Sequence, residues 1–227
     1  MGLSNSGSSV SIPFQGILFD FDGILISSLA SAERCWSEWA RLRGVDPALA
    51  VRTMHGRRAI ETVALLCPER DPEAELKVIE DLEMADSEGL TVLPGVLQLL
   101  ASLPLDRWTV VTSSTERLAR ARMRAGGVPM PQRLVTAESV MHGKPRPDPF
   151  LAGAKMLGFR PEECVVFEDA LPGIEAGRAA GCTVVATTFT LPAGELGAAD
   201  FIVPDLTGVT VESGADGPVL RMGQLVN

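Results

Sequence analysis

The amino-acid sequence predicts an α/β fold, in which a doubly wound parallel sheet carries an inserted, all-helical segment. Short apolar runs rich in β-branched residues recur along the chain. Their continuous apolarity is typical of strands that are covered on both faces. Between several of these runs lie segments that begin with proline and end before glycine, as helices do. A long stretch after the first run is almost wholly helical in character, and it interrupts this alternation.

The chain begins with residues 1–11, which are rich in serine, glycine and asparagine. Such a segment cannot bury enough apolar surface to offset its ordering entropy, so we expect a disordered tail. The first predicted strand, residues 16–19, stops at Asp20. Gly23 follows Asp22 and suits a sharp turn. This pattern indicates a buried strand that ends in a loop bearing two carboxylates.

The helical insert is predicted over residues 28–91. Apolar residues recur at helical spacing after Ser31, which we interpret as a helix cap. Trp36 and Trp39 share this spacing, and we interpret them as core of the insert rather than as a substrate-stacking surface. A second amphipathic helix is predicted over residues 73–88, and its many acidic side chains are expected to form a solvated face.

The rest of the chain completes the predicted sheet. Further strands are predicted at residues 108–111, 164–167, 183–186 and 201–203, helices at 115–125, 149–157 and 172–180, and a terminal hairpin at 209–220. The predicted boundaries are a tail over 1–11, a core over 12–27 and 92–227, and a helical insert over 28–91. The strand–helix alternation predicts a doubly wound core whose ligand crevice lies at the carboxyl ends of the strands.

Composition and charge exclude several classes of partner. The formal net charge is −9, from 20 basic and 29 acidic residues. Nucleic acids and anionic membranes require a clustered positive field, so we expect neither as a partner. No apolar run is long enough to span a bilayer, and no secretory signal is evident, which predicts a cytoplasmic protein. Four scattered cysteines are interpreted as reduced core residues: Cys35, Cys67, Cys164 and Cys182.

Four polar clusters follow predicted strand ends or adjoining loops. They are Asp20 with Asp22, Thr112-Ser113-Ser114, Lys144 after Gly143, and Glu168 with Asp169. Because the carboxyl ends of parallel strands form one crevice, we expect the four clusters to converge. Converging carboxylates raise one another's pKa unless a cation compensates them, and hard oxygen ligands select Mg²⁺. The sequence therefore predicts a magnesium site.

The same clusters fit phosphoryl transfer, which demands mainly positioning and neutralisation of charge. One carboxylate of the pair Asp20 and Asp22 can attack phosphorus, while the other acts first as an acid and then as a base. Ser113 and adjacent backbone N–H groups can hold phosphate oxygens. Lys144 supplies a mobile cation.

The chain resembles the haloacid dehalogenase superfamily in four motifs: Asp20-Phe21-Asp22-Gly23, Thr112-Ser113-Ser114, Gly143-Lys144-Pro145 and Phe167-Glu168-Asp169-Ala170. The likeness covers the chain from about residue 14 to 206. More narrowly, the His55-Gly56 turn and the loops after Gly143 and Glu168 are similar to those of sugar and polyol phosphatases. That group includes bacterial hexitol phosphatases and fungal glycerol-phosphate and deoxyglucose-phosphate phosphatases.

The resemblance implies a Rossmann-like core, a helical cap over residues 28–91 and a Mg²⁺ cofactor. It implies Asp20 as a metal ligand and as the nucleophile that forms an aspartyl-phosphate, and Asp22 as acid/base and backbone metal ligand. It implies Asp169 as a metal ligand with Glu168 beside it. The implied phosphate contacts are Thr112, Ser113, Ser114 and Lys144, and the predicted substrate contacts of the cap turn are His55, Arg57 and Arg58. The expected partner is a small phosphorylated sugar or polyol, and the expected state is a monomer.

Two positions depart from the family pattern. Ile24 stands where threonine is usual, and Ser27 replaces an aspartate common a little later. Two alternatives remain open at this point. A phosphomutase resembling β-phosphoglucomutase shares every core motif and returns the phosphate to a sugar. A catalytically silent phosphate-binding protein is favoured mainly by Ile24, whereas a dehalogenase has no need of the acid/base at Asp22.

Overall fold

The computed structural model describes residues 9–215, 217–223 and 225–226. The strands are β1 (Val10–Pro13), β2 (Gly16–Phe19), β3 (Ile26–Ser27), β4 (Thr91–Val92), β5 (Trp108–Val111), β6 (Leu134–Val135), β7 (Cys164–Glu168), β8 (Thr183–Thr187), β9 (Phe201–Val203), β10 (Val209–Gly214) and β11 (Gly217–Met222). The α-helices are α1 (Leu29–Arg43), α2 (Pro47–Met54), α3 (Ala59–Leu66), α4 (Pro72–Ala85), α5 (Val96–Ser102), α6 (Glu116–Gly126), α7 (Asp148–Leu157) and α8 (Leu171–Ala180).

Six parallel strands form the central sheet in the order β6-β5-β2-β7-β8-β9. The predicted doubly wound parallel sheet is therefore confirmed. Alternate residues of β2 enter different apolar clusters: Ile17 and Phe19 pack on one side and Leu18 on the other. Both faces of the sheet are thus covered, which explains why its strands are apolar without alternation.

Two short features of the core escaped the sequence pattern. The edge strand β6 has only two residues, which is too few to register as an apolar run. At the other end of the chain, β1 pairs antiparallel with β11. The predicted tail was therefore wrong for Val10 and Ser11, because the edge of β11 supplies partners for their backbone groups. Residues 1–8 of that tail lie outside the described residues.

Four helices, α1 to α4, form the insert and share an apolar cluster of their own. Trp36 and Trp39 both belong to this cluster, as interpreted, and Trp36 in addition borders the cavity described below. The predicted cap at Ser31 was wrong, because α1 begins at Leu29. The buried Ser31 hydroxyl instead donates to the Asp86 carbonyl at 2.9 Å, which ties the first helix of the insert to the end of the last.

The two connections of the insert pair with each other through β3 and β4, which form a separate antiparallel sheet. The predicted terminal hairpin is confirmed as β10 and β11, and Asp216 at its turn lies outside the described residues. All four cysteines are buried and unpaired, as predicted. Within the described ranges, no helix has the length and apolarity required to cross a membrane.

Candidate active site

Three of the predicted clusters meet around the amine of Lys144. Its Nζ lies 2.7 Å from Asp20 Oδ1 and 2.6 Å from Glu168 Oε1. One oxygen each of Asp20, Glu168 and Asp169 lie within 4.8 Å of one another. The expected convergence at the carboxyl edge of the sheet is therefore observed, with Asp20 following β2 and Asp169 following β7.

Two glycines permit this close approach of carboxylates to backbone. Gly23 has φ +85°, and a Cβ there would lie 1.9 Å from Asp169 Oδ2. At Gly173, in the first turn of α8, a Cβ would lie 1.6 Å from Glu168 Oε1. Any side chain at either position would displace a carboxylate of the cluster.

The electrostatics of the cluster reflect burial of like charges. Burial, followed by repulsion from Glu168, raises the pKa of Asp20 to about 7, although Lys144 opposes the shift. Burial and the neighbouring Glu168 and Asp20 also raise the pKa of Asp169 well above its ordinary value. Burial alone would lower the pKa of Lys144, but Asp20 and Glu168 together raise it. One lysine thus compensates the carboxylates only in part.

The donor set fits a magnesium ion, because every candidate ligand is an oxygen. Glu168 is the most heavily engaged: Oε2 accepts the backbone N–H groups of Asp169 at 2.9 Å and Ala170 at 3.2 Å, while Oε1 accepts Lys144. Asp169 accepts the Thr190 hydroxyl through Oδ2, so its Oδ1 can serve as a ligand. Of the predicted metal ligands, Asp169 therefore keeps an oxygen available for the ion. Glu168 mainly orients its neighbours through its hydrogen bonds.

Asp22 turns its carboxylate away from this cluster. Oδ1 accepts the Ser28 hydroxyl at 2.6 Å and Arg122 Nη1 at 2.8 Å, and Oδ2 accepts the Ser114 hydroxyl at 3.1 Å. The Asp22 carboxylate is therefore not one of the three that lie close enough together to share a metal ion. Sequence reasoning missed Arg122, because an arginine within an amphipathic helix looks like a surface residue. Burial alone would lower the pKa of Arg122, but the nearby Asp22 and Glu83 raise it above its usual value.

The three hydroxyl residues of the loop after β5, Thr112, Ser113 and Ser114, have different roles. Thr112 Oγ1 accepts the backbone N–H of Ser114 at 3.0 Å, so it shapes the loop. The Ser114 hydroxyl is engaged by Asp22. Ser113 lines the cavity beside Asp20, and its hydroxyl makes no hydrogen bond within the described part of the chain. Of the three hydroxyl residues among the predicted phosphate contacts, Ser113 is the one that makes no side-chain hydrogen bond within the described residues and so can bind an anion.

The structure brings only two of the three predicted substrate contacts in the turn of the insert, residues 55–58, to the cavity. His55 lines the cavity, where burial lowers its pKa despite the nearby Glu33. Arg57 lines the same cavity and remains exposed. Arg58 is not brought to the cavity.

The Arg58 guanidinium pairs with Glu61 and donates to the carbonyls of Ala137, Val140 and Met141 at 3.4, 3.4 and 3.1 Å. These contacts attach the insert to the core loop that precedes Lys144.

Helix α4 contributes to the cavity, contrary to its predicted solvated face. Glu75, Glu80 and Glu83 are all buried, and Glu80 and Glu83 line the cavity. They face α6, which the sequence pattern alone could not bring to them. The cavity has a volume of about 140 Å³ and extends from Asp20 to this interface between insert and core.

Ile24, one of the departures from the family pattern, packs in the apolar core beneath the site.

A parallel sheet whose carboxyl edge gathers buried carboxylates, a lysine and a hydroxyl loop beneath a helical insert is an α/β fold with a site suited to phosphoryl transfer. Comparison with protein families agrees: the family described as haloacid dehalogenase-like hydrolase matches residues 14–181, and the chain belongs to this family. The resemblance seen in the four motifs is thereby confirmed.

Individual relatives narrow the comparison. The chain is 41% identical to Hexitol phosphatase A of Escherichia coli, over 91% of this chain and 98% of that protein. It is 33% identical to Glycerol-1-phosphate phosphohydrolase 2 of Saccharomyces cerevisiae, over 84% of this chain and 81% of that protein. A crystal structure of a hydrolase from Pseudomonas syringae superposes with a TM-score of 0.75 at 25% identity, covering 85% of this chain and 94% of that one.

Proposed function

We propose that this protein is a magnesium-dependent phosphatase, which hydrolyses a small sugar or polyol phosphate through an aspartyl-phosphate on Asp20. The observation that carries the proposal is the placement of Asp20 against Lys144, with the Asp169 carboxylate within 4.8 Å and the free Ser113 hydroxyl beside it. The similarity to a hexitol phosphatase and a glycerol-phosphate phosphohydrolase supports the substrate class.

The nucleophile in this proposal is the carboxylate of Asp20. Its oxygen bonds to phosphorus as the bond from phosphorus to the ester oxygen breaks, and Asp22 gives its proton to the leaving alkoxide. Asp22 then takes a proton from water, which attacks phosphorus and releases inorganic phosphate from Asp20. The hydrogen bonds from Ser28, Ser114 and Arg122 would hold Asp22 ready between these two steps.

The phosphate oxygens would be held by Ser113, by backbone N–H groups of its loop and by Lys144. Mg²⁺ would be held by Asp20, Asp169 and the Asp22 carbonyl, with Glu168 beside them, and when bound it would neutralise charge on the carboxylates and the phosphate. Residues 28–91 would act as a cap that closes over the substrate and excludes water. Thr112 and Ser114 would support this site through the loop and through Asp22.

A phosphate-release assay with Mg²⁺ on a panel of sugar and polyol phosphates tests the proposal. We expect turnover of at least one such ester, with loss after chelation and recovery when Mg²⁺ is restored. No release from any of these esters, or from the acyl phosphate acetyl phosphate, would favour the silent phosphate-binding protein. On hexose 1-phosphates, an isomeric hexose phosphate as the main product would instead favour the mutase.

We also propose that the protein acts as a cytoplasmic monomer. Its four buried, unpaired cysteines fit a reducing compartment. Its net charge of −9 opposes association with nucleic acid or an anionic membrane. Size-exclusion chromatography with light scattering checks the oligomeric state, for which the expected mass is 24.1 kDa.

A further inference from the structure

The cavity has a second polar end, formed where helix α4 of the insert meets helix α6 of the core. Glu83 lies on α4 with only 5% of its surface exposed, and Arg122 lies on α6 with 4% exposed. Both residues line the cavity, and Arg122 Nη2 is 3.4 Å from Glu83 Oε1. This pair is separate from the carboxylates around Lys144, but Arg122 joins it to Asp22 through Nη1.

The pair retains unused hydrogen-bonding capacity. Within the described residues, Arg122 Nε and Nη2 are buried without a hydrogen-bond partner, since the contact to Glu83 lacks hydrogen-bond geometry. A carboxylate can accept about four hydrogen bonds, and Arg122 Nη2 approaches Glu83 at 3.4 Å without hydrogen-bond geometry, so within the described residues the Glu83 carboxylate keeps accepting capacity. Buried polar groups are normally satisfied, so unused donors and acceptors beside a cavity indicate a polar ligand.

The neighbouring Glu80 behaves differently. Its carboxylate accepts the Thr115 hydroxyl and Arg117 Nη1, the latter at 3.1 Å, so both of its oxygens are engaged. Glu80 therefore fastens the insert to the core, whereas Glu83 is available to a ligand.

Charge determines which chemical group fits this end. Asp22 and Glu83 bring two carboxylates to the single guanidinium of Arg122, and the Glu80 carboxylate beside them is already paired with Arg117. A second phosphate or a carboxylate on the substrate would be placed against these groups and repelled. A hydroxyl is neutral, donates to a carboxylate and accepts from a guanidinium, so one group can engage both members of the pair.

We propose that Glu83 and Arg122 form a subsite for hydroxyl groups at the uncharged end of the substrate, and that Glu83 rejects phosphate esters carrying a second anion. This inference rests on the proposed phosphatase function and deepens it. The substrate class becomes the neutral polyol or sugar monophosphates, and bisphosphates and phosphorylated acids are excluded. Glu83 is then a specificity-determining residue.

Sorbitol 6-phosphate and 6-phosphogluconate test the subsite, because they differ only in a terminal hydroxymethyl or carboxylate group. We expect the wild-type protein to prefer sorbitol 6-phosphate in kcat/KM by roughly a hundredfold. At pH 8, above the Glu83 pKa of about 7, Glu83→Gln removes the charge at nearly constant shape and should reduce this preference about tenfold, as expected for one charged contact. Glu83→Asp keeps the charge but shortens the side chain. It should retain the rejection of 6-phosphogluconate while raising KM for sorbitol 6-phosphate.

Glu73→Gln is the matched control, because Glu73 is exposed on the same helix. It should leave the preference unchanged. Calorimetric binding of both esters with Mg²⁺ provides a second readout that does not require turnover. Equal affinity of the wild-type protein for both, or an unchanged preference in Glu83→Gln, would overturn the subsite. Failure to hydrolyse acetyl phosphate as well as both esters would overturn the phosphatase function, while the binding preference would still decide the subsite.

Discussion

The core and the insert line the same cavity, but their cavity residues occupy different structural positions, which are strand ends in the core and a helix face in the insert. The core contributes residues at strand ends, such as Asp20 after β2 and Asp169 after β7, which the sheet brings to one edge. The insert contributes residues on a helix face, such as Glu83 on α4. In the core, chemistry follows from topology alone. In the insert, recognition depends on which helix face meets the core, so it can differ between chains that share every core motif.

The sharpest contrast is that the core residues should control turnover of any ester, whereas insert residues should control the choice among esters. Asp20→Asn tests the first half. An amide is a poor nucleophile of nearly the same shape, so kcat should fall by several orders of magnitude with the fold intact. Phosphate release and circular dichroism measure the two effects, with the exposed Asp106→Asn as control. Near-normal turnover would rule out Asp20 as the nucleophile.

Lys144→Ala should have the next largest effect. It removes the cation that contacts both Asp20 and Glu168, so we expect a roughly hundredfold lower kcat/KM on every ester and weaker vanadate binding. Lys155→Ala, exposed on α7, is the control. If only some esters were affected, Lys144 would belong to recognition, and the division between core and insert would not hold.

The pH dependence of the unfolding free energy tests how much ionisation of the buried Glu83 in the insert destabilises the protein. Burial raises the pKa of Glu83 from 4.5 to about 7, so the folded state binds its proton more tightly than the unfolded state. Its contribution to stability is therefore greatest below pH 4.5 and is lost as pH rises through 7.

The difference in unfolding free energy between Glu83→Gln and wild type should shift by roughly 2 kcal/mol in favour of the variant between pH 5 and 8. Urea titrations at several pH values measure it. A constant difference across this range would show that Glu83 stays ionised in the folded protein.

Arg58→Ala should have the smallest effect. Because Arg58 attaches the insert to the carbonyls of Ala137, Val140 and Met141, we expect about a tenfold loss of kcat/KM that is equal for sorbitol 6-phosphate and acetyl phosphate. Arg52→Ala, exposed on α2, is the control. A loss confined to sorbitol 6-phosphate would instead restore Arg58 as the substrate contact that its sequence position predicts.

Much of the core could be predicted from the sequence for a physical reason. A strand covered on both faces must be apolar throughout, so its end is marked where polar residues begin, as at Asp20 and Glu168. The two residues of β6 are too few to carry a periodic signal, and β1 was missed because its residues are only half buried or exposed and follow a polar segment. The pairing of both strands depends on an edge supplied by distant strands.

The sequence by itself determined the parallel sheet, the helical insert and the convergence of Asp20, Lys144 and Asp169. A strand covered on both faces is apolar throughout, and the first polar residue after it marks its carboxyl end. Only the tertiary structure decided which polar helix residues enter the cavity. Arg122 and Glu83 look like solvated positions on amphipathic helices, and Arg58 looks like a cavity residue beside His55. Their actual places depend on how α4 and the turn before α3 pack against the core, and that packing is set by contacts between segments far apart in the chain.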